Sequence, residues 1–233
     1  MSAYQLYLGD CLEFMRGMDA GSVDAVITDP PYGMNLDTDN SRFSGGNVAS
    51  VYKRGNGIGT SNGKPIIGDD KPFDPSPFLN FKKVIMWGFN HYAQRLPVGT
   101  TLVWLKRFDA AFGSFLSDAE LAWMKGGHGV YCMRDLSLTA ETRERKHPTQ
   151  KPIPLMRWCI ELVTQPSDTV FDPFMGSGTT GVACMQLGRN FIGCEIDPAY
   201  YAIAERRIRD AAAQLPLPEM HAPKIEAIQE AML

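Results

Sequence analysis

A chain of 233 residues with 44% hydrophobic and 21% charged side chains fits one ordinary globular domain with a sizeable core. No apolar stretch approaches the roughly 20 residues that span a bilayer, and Met1-Ser2-Ala3-Tyr4-Gln5 lacks a basic region and a signal-peptide core, so the cytoplasm is the default compartment. Five scattered cysteines without a Cys-x-x-Cys pair argue against disulfides and zinc, and no metal is expected; the net charge of −3 does not by itself point to nucleic acid, although a local patch could.

Tyr4–Leu8 has the pattern of a short strand ending at Gly9-Asp10, and Cys11–Met18 has helical spacing, closed by Gly21-Ser22. Val23–Thr28 is a nearly unbroken apolar run, as expected of a strand covered on both faces. From Gly33 to about Pro77 the chain is rich in Gly, Asn, Ser and Asp and has little apolar period. So long a loop in a compact domain is usually functional or disordered, and residues 33–77 are read as a mobile loop over an active site, with a merely disordered insertion as the alternative.

Strand pattern returns at Lys83–Trp87, helix at Asn90–Leu96 and strand at Thr101–Lys106. Glu120–Lys125 and Val130–Met133 are expected to form an antiparallel hairpin around Gly126-Gly127-His128-Gly129. Basic residues gather at Arg143-Glu144-Arg145-Lys146-His147, which on their own fit a solvated loop. Pro154–Thr164 is an amphipathic helix with proline at its start, Thr169–Asp172 a strand, Thr179–Leu187 a helix, Phe191–Ile196 a strand and Pro198–Leu215 the last long helix. Residues 216–233 form a surface tail with several prolines. Strands alternating with helices predict an α/β fold, a doubly wound and mostly parallel sheet, in a single domain spanning 1–233.

Two runs stand out. Thr28-Asp29-Pro30-Pro31-Tyr32 puts a carboxylate, two stiff prolines and an aromatic ring at the end of an apolar strand. Gly176-Ser177-Gly178-Thr179-Thr180-Gly181 follows another strand and opens a helix, where glycines let the backbone approach a ligand and free amides attract an anionic group. Glu195 ends the next strand, where a carboxylate can bind ribose hydroxyls. The glycine spacing alone suits NAD as well as S-adenosylmethionine.

The context separates the two. Asp172-Pro173-Phe174-Met175-Gly176-Ser177-Gly178 with Asp29-Pro30-Pro31-Tyr32 resembles the cofactor and catalytic motifs of the amino-group DNA methyltransferases. His147-Pro148-Thr149-Gln150-Lys151-Pro152 resembles the family motif beside the methionine end of the cofactor, and Gly9-Asp10-Cys11 resembles the segment whose aspartate faces its adenine. The catalytic motif comes first and the cofactor motif last, as in the family's beta group.

The resemblance implies a Rossmann-like methyltransferase fold in permuted motif order, S-adenosylmethionine as cofactor and DNA as partner. It implies a cofactor set of Asp10, Cys11, His147, Thr149, Gln150, Lys151, Asp172, Phe174, Gly176, Ser177, Gly178, Thr179, Thr180, Glu195 and Ile196. Within it Glu195 takes the ribose, Asp10 the adenine amino group, and Lys151 with the glycine loop the methionine portion. Asp172 is assigned to the methionine amine, with capping of the loop as the alternative.

An exocyclic amine is a poor nucleophile because its lone pair is delocalised into the ring. Two acceptors aimed at its hydrogens, Asp29 and the carbonyl of Pro30, favour a tetrahedral nitrogen, with Pro31 stiffening the turn and Tyr32 stacking on a base extruded from the duplex. Some relatives with serine in place of this aspartate act on cytosine, so Asp29 favours adenine N6, with cytosine N4 as the alternative. RNA or protein amide substrates, a silent binding module and an NAD-dependent oxidoreductase rank lower. Recognition of the DNA site falls to residues 33–77 and 108–146, and a homodimer with one protomer per strand would suit a short target. Trp87 fits the base pocket or the core equally well, and His91 reads as a packing residue.

Overall fold

The computed structural model describes residues 2–34, 66–113, 117–136 and 150–214. Seven strands, β1 (Tyr4–Leu8), β2 (Ala25–Thr28), β3 (Val84–Trp87), β4 (Gly99–Leu105), β5 (Ala119–Arg134), β6 (Thr169–Asp172) and β7 (Asn190–Glu195), form one sheet in the order β1-β7-β6-β2-β3-β5-β4. Its helices are α1 (Cys11–Arg16), α2 (Ile153–Val163), α3 (Thr179–Gln186) and α4 (Pro198–Ala212). Neighbours from β1 to β3 pair in parallel, and β3 pairs antiparallel with β5. The expected doubly wound α/β architecture is therefore present.

Every residue of β2 and β3 is buried, as befits central strands covered on both faces. The pleat sends alternate residues to opposite sides. Ala25, Ile27, Ile85 and Trp87 pack with Leu155, Met156 and Ile160 of α2, Val182 and Met185 of α3, and Ala204 and Ile208 of α4. Val26, Val84, Met86 and Phe171 face the other way, against Cys11 of α1 and the aromatic rings of Phe78, Phe81 and Tyr92. Burying each large side chain of α2 contributes on the order of 1.5–3 kcal/mol. Proline begins α4, and Asp197 caps it by accepting from the Ala199 amide at 2.7 Å.

Two expectations need correction. Glu120–Lys125 and Val130–Met133 do not pair with each other: both lie in β5, and β4 runs between them. Residues 99–105 meet 125–119 in antiparallel register, while Thr101 to Leu105 meet Val130 to Arg134 in parallel register. The helix expected at Asn90–Leu96 is instead two 3-10 turns, Phe89–His91 and Ala93–Arg95. Tyr92 breaks the run, because its buried ring is anchored by a hydroxyl donating to the Trp87 carbonyl at 2.7 Å.

The expectations for the middle of the 33–77 loop (residues 35–65), for 114–116 and 137–149, and for the tail fall outside the described residues. Among the described residues no helix is long and apolar enough to cross a membrane, and no group of His, Cys, Asp and Glu could hold a metal ion. Four of the five cysteines are buried and Cys132 is exposed.

Candidate active site

The chain leaves β1, β2, β6 and β7 at the same end of the sheet, because these strands are parallel. β2 and β6 are adjacent although 144 residues separate Thr28 from Asp172. Ligands of open α/β sheets bind outside the carboxyl ends of the strands, where the winding reverses. The Thr28 hydroxyl donates to Asp172 Oδ1 at 2.7 Å and ties the ends of these two strands together.

Asp29 follows β2 directly. Its Oδ1 accepts from the Tyr32 hydroxyl, and its Oδ2 accepts from Lys151 Nζ at 2.5 Å. Lys151 lies just ahead of α2, is only 5% exposed, and is 3.1 Å from Glu120 Oε2 of β5. Lys106 Nζ holds the other Glu120 oxygen at 2.8 Å, and the Trp87 ring centroid lies 5.7 Å from Lys151 Nζ.

Burial works against the Lys151 ammonium, but Asp29 and Glu120 more than offset it and hold its pKa well above that of ordinary lysine. Burial also pushes the Glu120 carboxyl up, yet Lys151 and Lys106 outweigh it and bring the group to about 2. At Asp29 burial prevails over Lys151, so its carboxyl titrates above the ordinary aspartate range. Burial and the Asp29 charge keep the Tyr32 phenol protonated, and therefore a donor.

Tyr32 stacks on His91, with centroids 4.9 Å apart and planes 9° apart. Gly88, at φ +72°, leaves room for the ring, because a Cβ there would overlap it. Behind the turn, the Asp69 carboxylate accepts from the amides of Gly33 (2.8 Å) and Met34 (3.2 Å).

The second half of the site grows out of β6. Asp172, 3% exposed, also accepts from the Phe174 amide at 3.1 Å and, through Oδ2, from the Thr180 hydroxyl at 2.6 Å. Its side chain thus caps the loop, and burial raises its carboxyl to about 6 despite these hydrogen bonds. Gly178 sits at φ +79°, where a Cβ would come 2.9 Å from that of Ala204 on α4. Arg207 of α4 donates to the Ser177 carbonyl, to its hydroxyl at 2.9 Å and to the Thr179 hydroxyl at 3.4 Å. Ser177 in turn donates to Gln150 Oε1 at 3.3 Å.

At the end of β7, Glu195 accepts from the amides of Gly176 (2.9 Å) and Asp197 (2.8 Å), and burial raises its pKa. The Gly9 amide donates to the Glu195 carbonyl at 2.9 Å, which brings Asp10 alongside. Asp10 caps α1 through the Leu12 amide at 2.7 Å. Ile196 is 45% exposed beside Glu195, an apolar surface open to a ring.

One cleft is lined by Asp29, Gln150, Lys151, Asp172, Phe174, Gly176, Ser177, Thr179 and Thr180. Pro30 and Pro31 follow Asp29 in the turn, Gly178 packs toward Ala204 behind the loop, and Glu195 meets the loop through the Gly176 amide, with Asp10 following Gly9 on its other side and Ile196 next in the chain. The Cys11 thiol is buried in the core. His147 and Thr149 lie outside the described residues. Lys151, expected beside methionine, directs its ammonium at Asp29. Trp87 is a fully buried core residue.

Sequence reasoning missed Glu120, Lys106, Arg207 and Asp69. An acid inside the apolar strand Ala119-Glu120-Leu121-Ala122-Trp123 was the one local signal.

The cleft suits S-adenosylmethionine. Phe174 and Met156 supply apolar wall, Ser177, Thr179 and Gln150 supply polar groups, and Glu195 stands one strand away. Residues 130–206 match the model of the N6/N4 methyltransferase family, described as DNA methylase. The sequence is 27% identical to the type II methyltransferase M2.MboI of Moraxella bovis over 89% of this chain and 88% of that one. The fold is similar to the crystal structure of the M1.HpyAVI–SAM complex, with a TM-score of 0.55 and 25% identity, covering 88% of this chain and 99% of that one. It is also similar to PvuII DNA methyltransferase (cytosine-N4-specific), with a TM-score of 0.54 and 18% identity over 91% and 92% of the two chains, a likeness of fold. With an Asp-Pro-Pro-Tyr turn and a glycine loop on one cleft, and with these matches, the chain is similar to the S-adenosylmethionine-dependent DNA amino-methyltransferases.

Proposed function

We propose that the chain methylates N6 of an adenine turned out of duplex DNA, with Asp29 and the Pro30 carbonyl as the two acceptors for the amine. The observation that carries this reading is the shared cleft: Asp29 and the glycine loop line the same space. S-adenosylmethionine, when bound, supplies an electrophilic methyl on a sulfonium. Glu195 would hold its ribose, Asp10 its adenine, and the Gly176–Thr180 loop with Gln150 its methionine portion.

The arriving base exchanges two contacts. Its amine takes Asp29 Oδ1 from the Tyr32 hydroxyl, and its ring takes the place of His91 on the Tyr32 face. Stacking of this kind contributes roughly 1–3 kcal/mol. Asp29 and Pro30 draw the amine hydrogens aside, so the nitrogen lone pair points into the cleft. With the cofactor bound, the N–C bond would form as the S–C bond breaks, and the surplus proton would leave the nitrogen through Asp29 or water. Lys151 keeps the Asp29 charge compensated throughout. These residues work by placement and fixed charge.

The DNA face is assigned to residues 33–77 and 108–146. Asp69 fastens both ends of the first stretch beside Tyr32, and Glu120 of the second reaches Lys151. Phe108 and Phe112 are exposed, and the Arg134 guanidinium lies 5.6 Å from the Phe112 ring centroid while pairing with Asp109 at 2.5 Å, so the aromatic rings are the groups of this stretch that suit nucleic acid. A homodimer would serve both strands of a short site, and the cytoplasm is the compartment proposed for this work.

The test is radiolabelled methyl transfer to unmethylated DNA with nucleoside analysis of the product. N6-methyladenine, lost in Asp29→Ala while calorimetry shows cofactor binding nearly intact, is the expected result. N4-methylcytosine would replace adenine by the alternative base, and absence of label from DNA would overturn the proposal.

A further inference from the structure

Lys106, Glu120, Lys151, Asp29 and Tyr32 form an alternating chain of charges and donors across four segments. It runs from the end of β4, through β5 and the start of α2, to the turn after β2, with successive contacts of 2.8, 3.1 and 2.5 Å and then the Tyr32 hydroxyl. An ammonium has three donors. Those of Lys151 meet Asp29 Oδ2, Glu120 Oε2 and, at 3.5 Å, the Tyr32 hydroxyl oxygen, under the face of Trp87. The ammonium therefore touches Asp29 on one side only.

We infer that Glu120 is a positioning residue for methyl transfer: it holds Lys151 on Asp29 Oδ2 and so reserves Oδ1 for the target amine. This rests on the reading of Asp29 as the amine's acceptor. Lysine has a flexible four-carbon stem, and a carboxylate offers it two oxygens. Without a second anchor the ammonium is free to straddle both oxygens of Asp29, and the seat now held by the Tyr32 hydroxyl is contested. Lys106 fixes the other Glu120 oxygen and keeps the carboxylate from turning away.

The consequence reaches the ionisation of Asp29. The charged and titratable groups around it are Tyr32 from its own turn, Lys151, Glu120 and behind it Lys106, Asp172 from β6, and His91 and Tyr92 from the turns after β3. Of these, Glu120 works against the Asp29 charge and Lys151 works for it. Removing the Glu120 charge therefore makes Asp29 easier to ionise.

The experiment compares Glu120→Gln and Glu120→Ala with the full-length wild type in methyl transfer across pH, alongside melting and cofactor calorimetry. The expected result is a kcat lower by up to about a hundredfold, the scale of a misplaced reacting group. Cofactor Kd should stay unchanged, and the acid limb of kcat should move to lower pH. A kcat and limb like the wild type overturn the role of Glu120, and Asp29→Ala, inactive in the same assay, then leaves the functional reading standing. Loss of kcat together with cofactor binding, with the limb in place, means a merely structural Glu120 and also overturns the inference. Should both variants fail to fold, Lys106→Met, which frees the Glu120 carboxylate to turn, gives a second readout: a smaller loss of kcat with cofactor Kd unchanged supports the inference, and an unchanged kcat rejects it.

Discussion

Asp172→Asn separates the two roles open to this carboxylate, a cap on the glycine loop or a contact to the cofactor. In the structure its oxygens accept from the Thr28 and Thr180 hydroxyls and the Phe174 amide, and burial lifts the group from 3.8 to about 6. A carboxyl whose folded pKa lies above its unfolded one lends stability that is complete below pH 3.8 and is lost as the pH rises through 6. The gap of about two units corresponds to about 3 kcal/mol at 1.36 kcal/mol per unit, as an order of magnitude. Asparagine fits the same site. Its oxygen can accept from Thr28 and Phe174, and its amino group can donate to Thr180, because a hydroxyl serves as donor or acceptor. The variant should therefore be more stable than the wild type by about 1–3 kcal/mol at pH 7.5, and the advantage should vanish near pH 4. Urea unfolding followed by fluorescence of the four tryptophans, repeated across this range, measures the difference. Parallel stability curves would refute the argument from burial. A cap leaves the cofactor Kd nearly unchanged. A loss of more than about tenfold in affinity, or 1.4 kcal/mol, with no change in stability, would assign Asp172 to the methionine amine instead.

Further outcomes follow from the same geometry. Tyr32→Ala should lower turnover by roughly ten- to a hundredfold, the worth of a stacked base, whereas Tyr32→Phe keeps the ring and much of the activity; equal damage from both would sink the stacking proposal. Gly88→Ala should mimic Tyr32→Ala, because φ is +72° and a Cβ would drive the ring from its place, and near-normal kinetics would show that the ring works elsewhere. Arg207→Ala should weaken cofactor binding about tenfold with kcat at saturation retained, since it frees the Ser177–Thr179 loop from a charged hydrogen-bond donor, and Arg207→Lys should recover part of the loss; an unchanged Kd would refute the coupling.

Much of the sheet was legible from local pattern. Val23–Thr28 and Lys83–Trp87 read as central strands because burial on both faces leaves no polar alternation, and both are central. Alternation cannot say which strand lies beside which, however. The two halves of β5 looked like a hairpin because a glycine-rich turn joins them, while both pair with β4, Thr101 meeting Trp123 of one half and Val130 of the other. The turns at Phe89–Arg95 were misjudged because a single buried phenol, Tyr92, overrides helical spacing. Motif resemblance found the residues lining the cleft, since each run keeps its own loop geometry. The chain from Lys106 through Glu120 to Lys151 was hidden because it joins three segments with no pattern in common.

Motif order, finally, has little bearing on the chemistry of the cleft. Asp29 precedes the glycine loop by some 150 residues, yet β2 and β6 pair directly, Ala25 against Val170 and Val26 against Phe171. The Thr28–Asp172 hydrogen bond then sets the two strand ends in fixed relation. What the chemistry needs is that the acceptor for the amine and the loop for the methyl donor project from neighbouring parallel strands, and sheet order, not chain order, supplies this. Both motifs stand on strands whose residues are almost wholly buried, so their spacing is set by the stiffest part of the molecule. The segments proposed to contact DNA begin at Gly33 after the turn and beyond Leu105 at the end of β4. A new target site could then be acquired by changing those segments alone, with Asp29, Lys151 and the glycine loop held in place by the sheet.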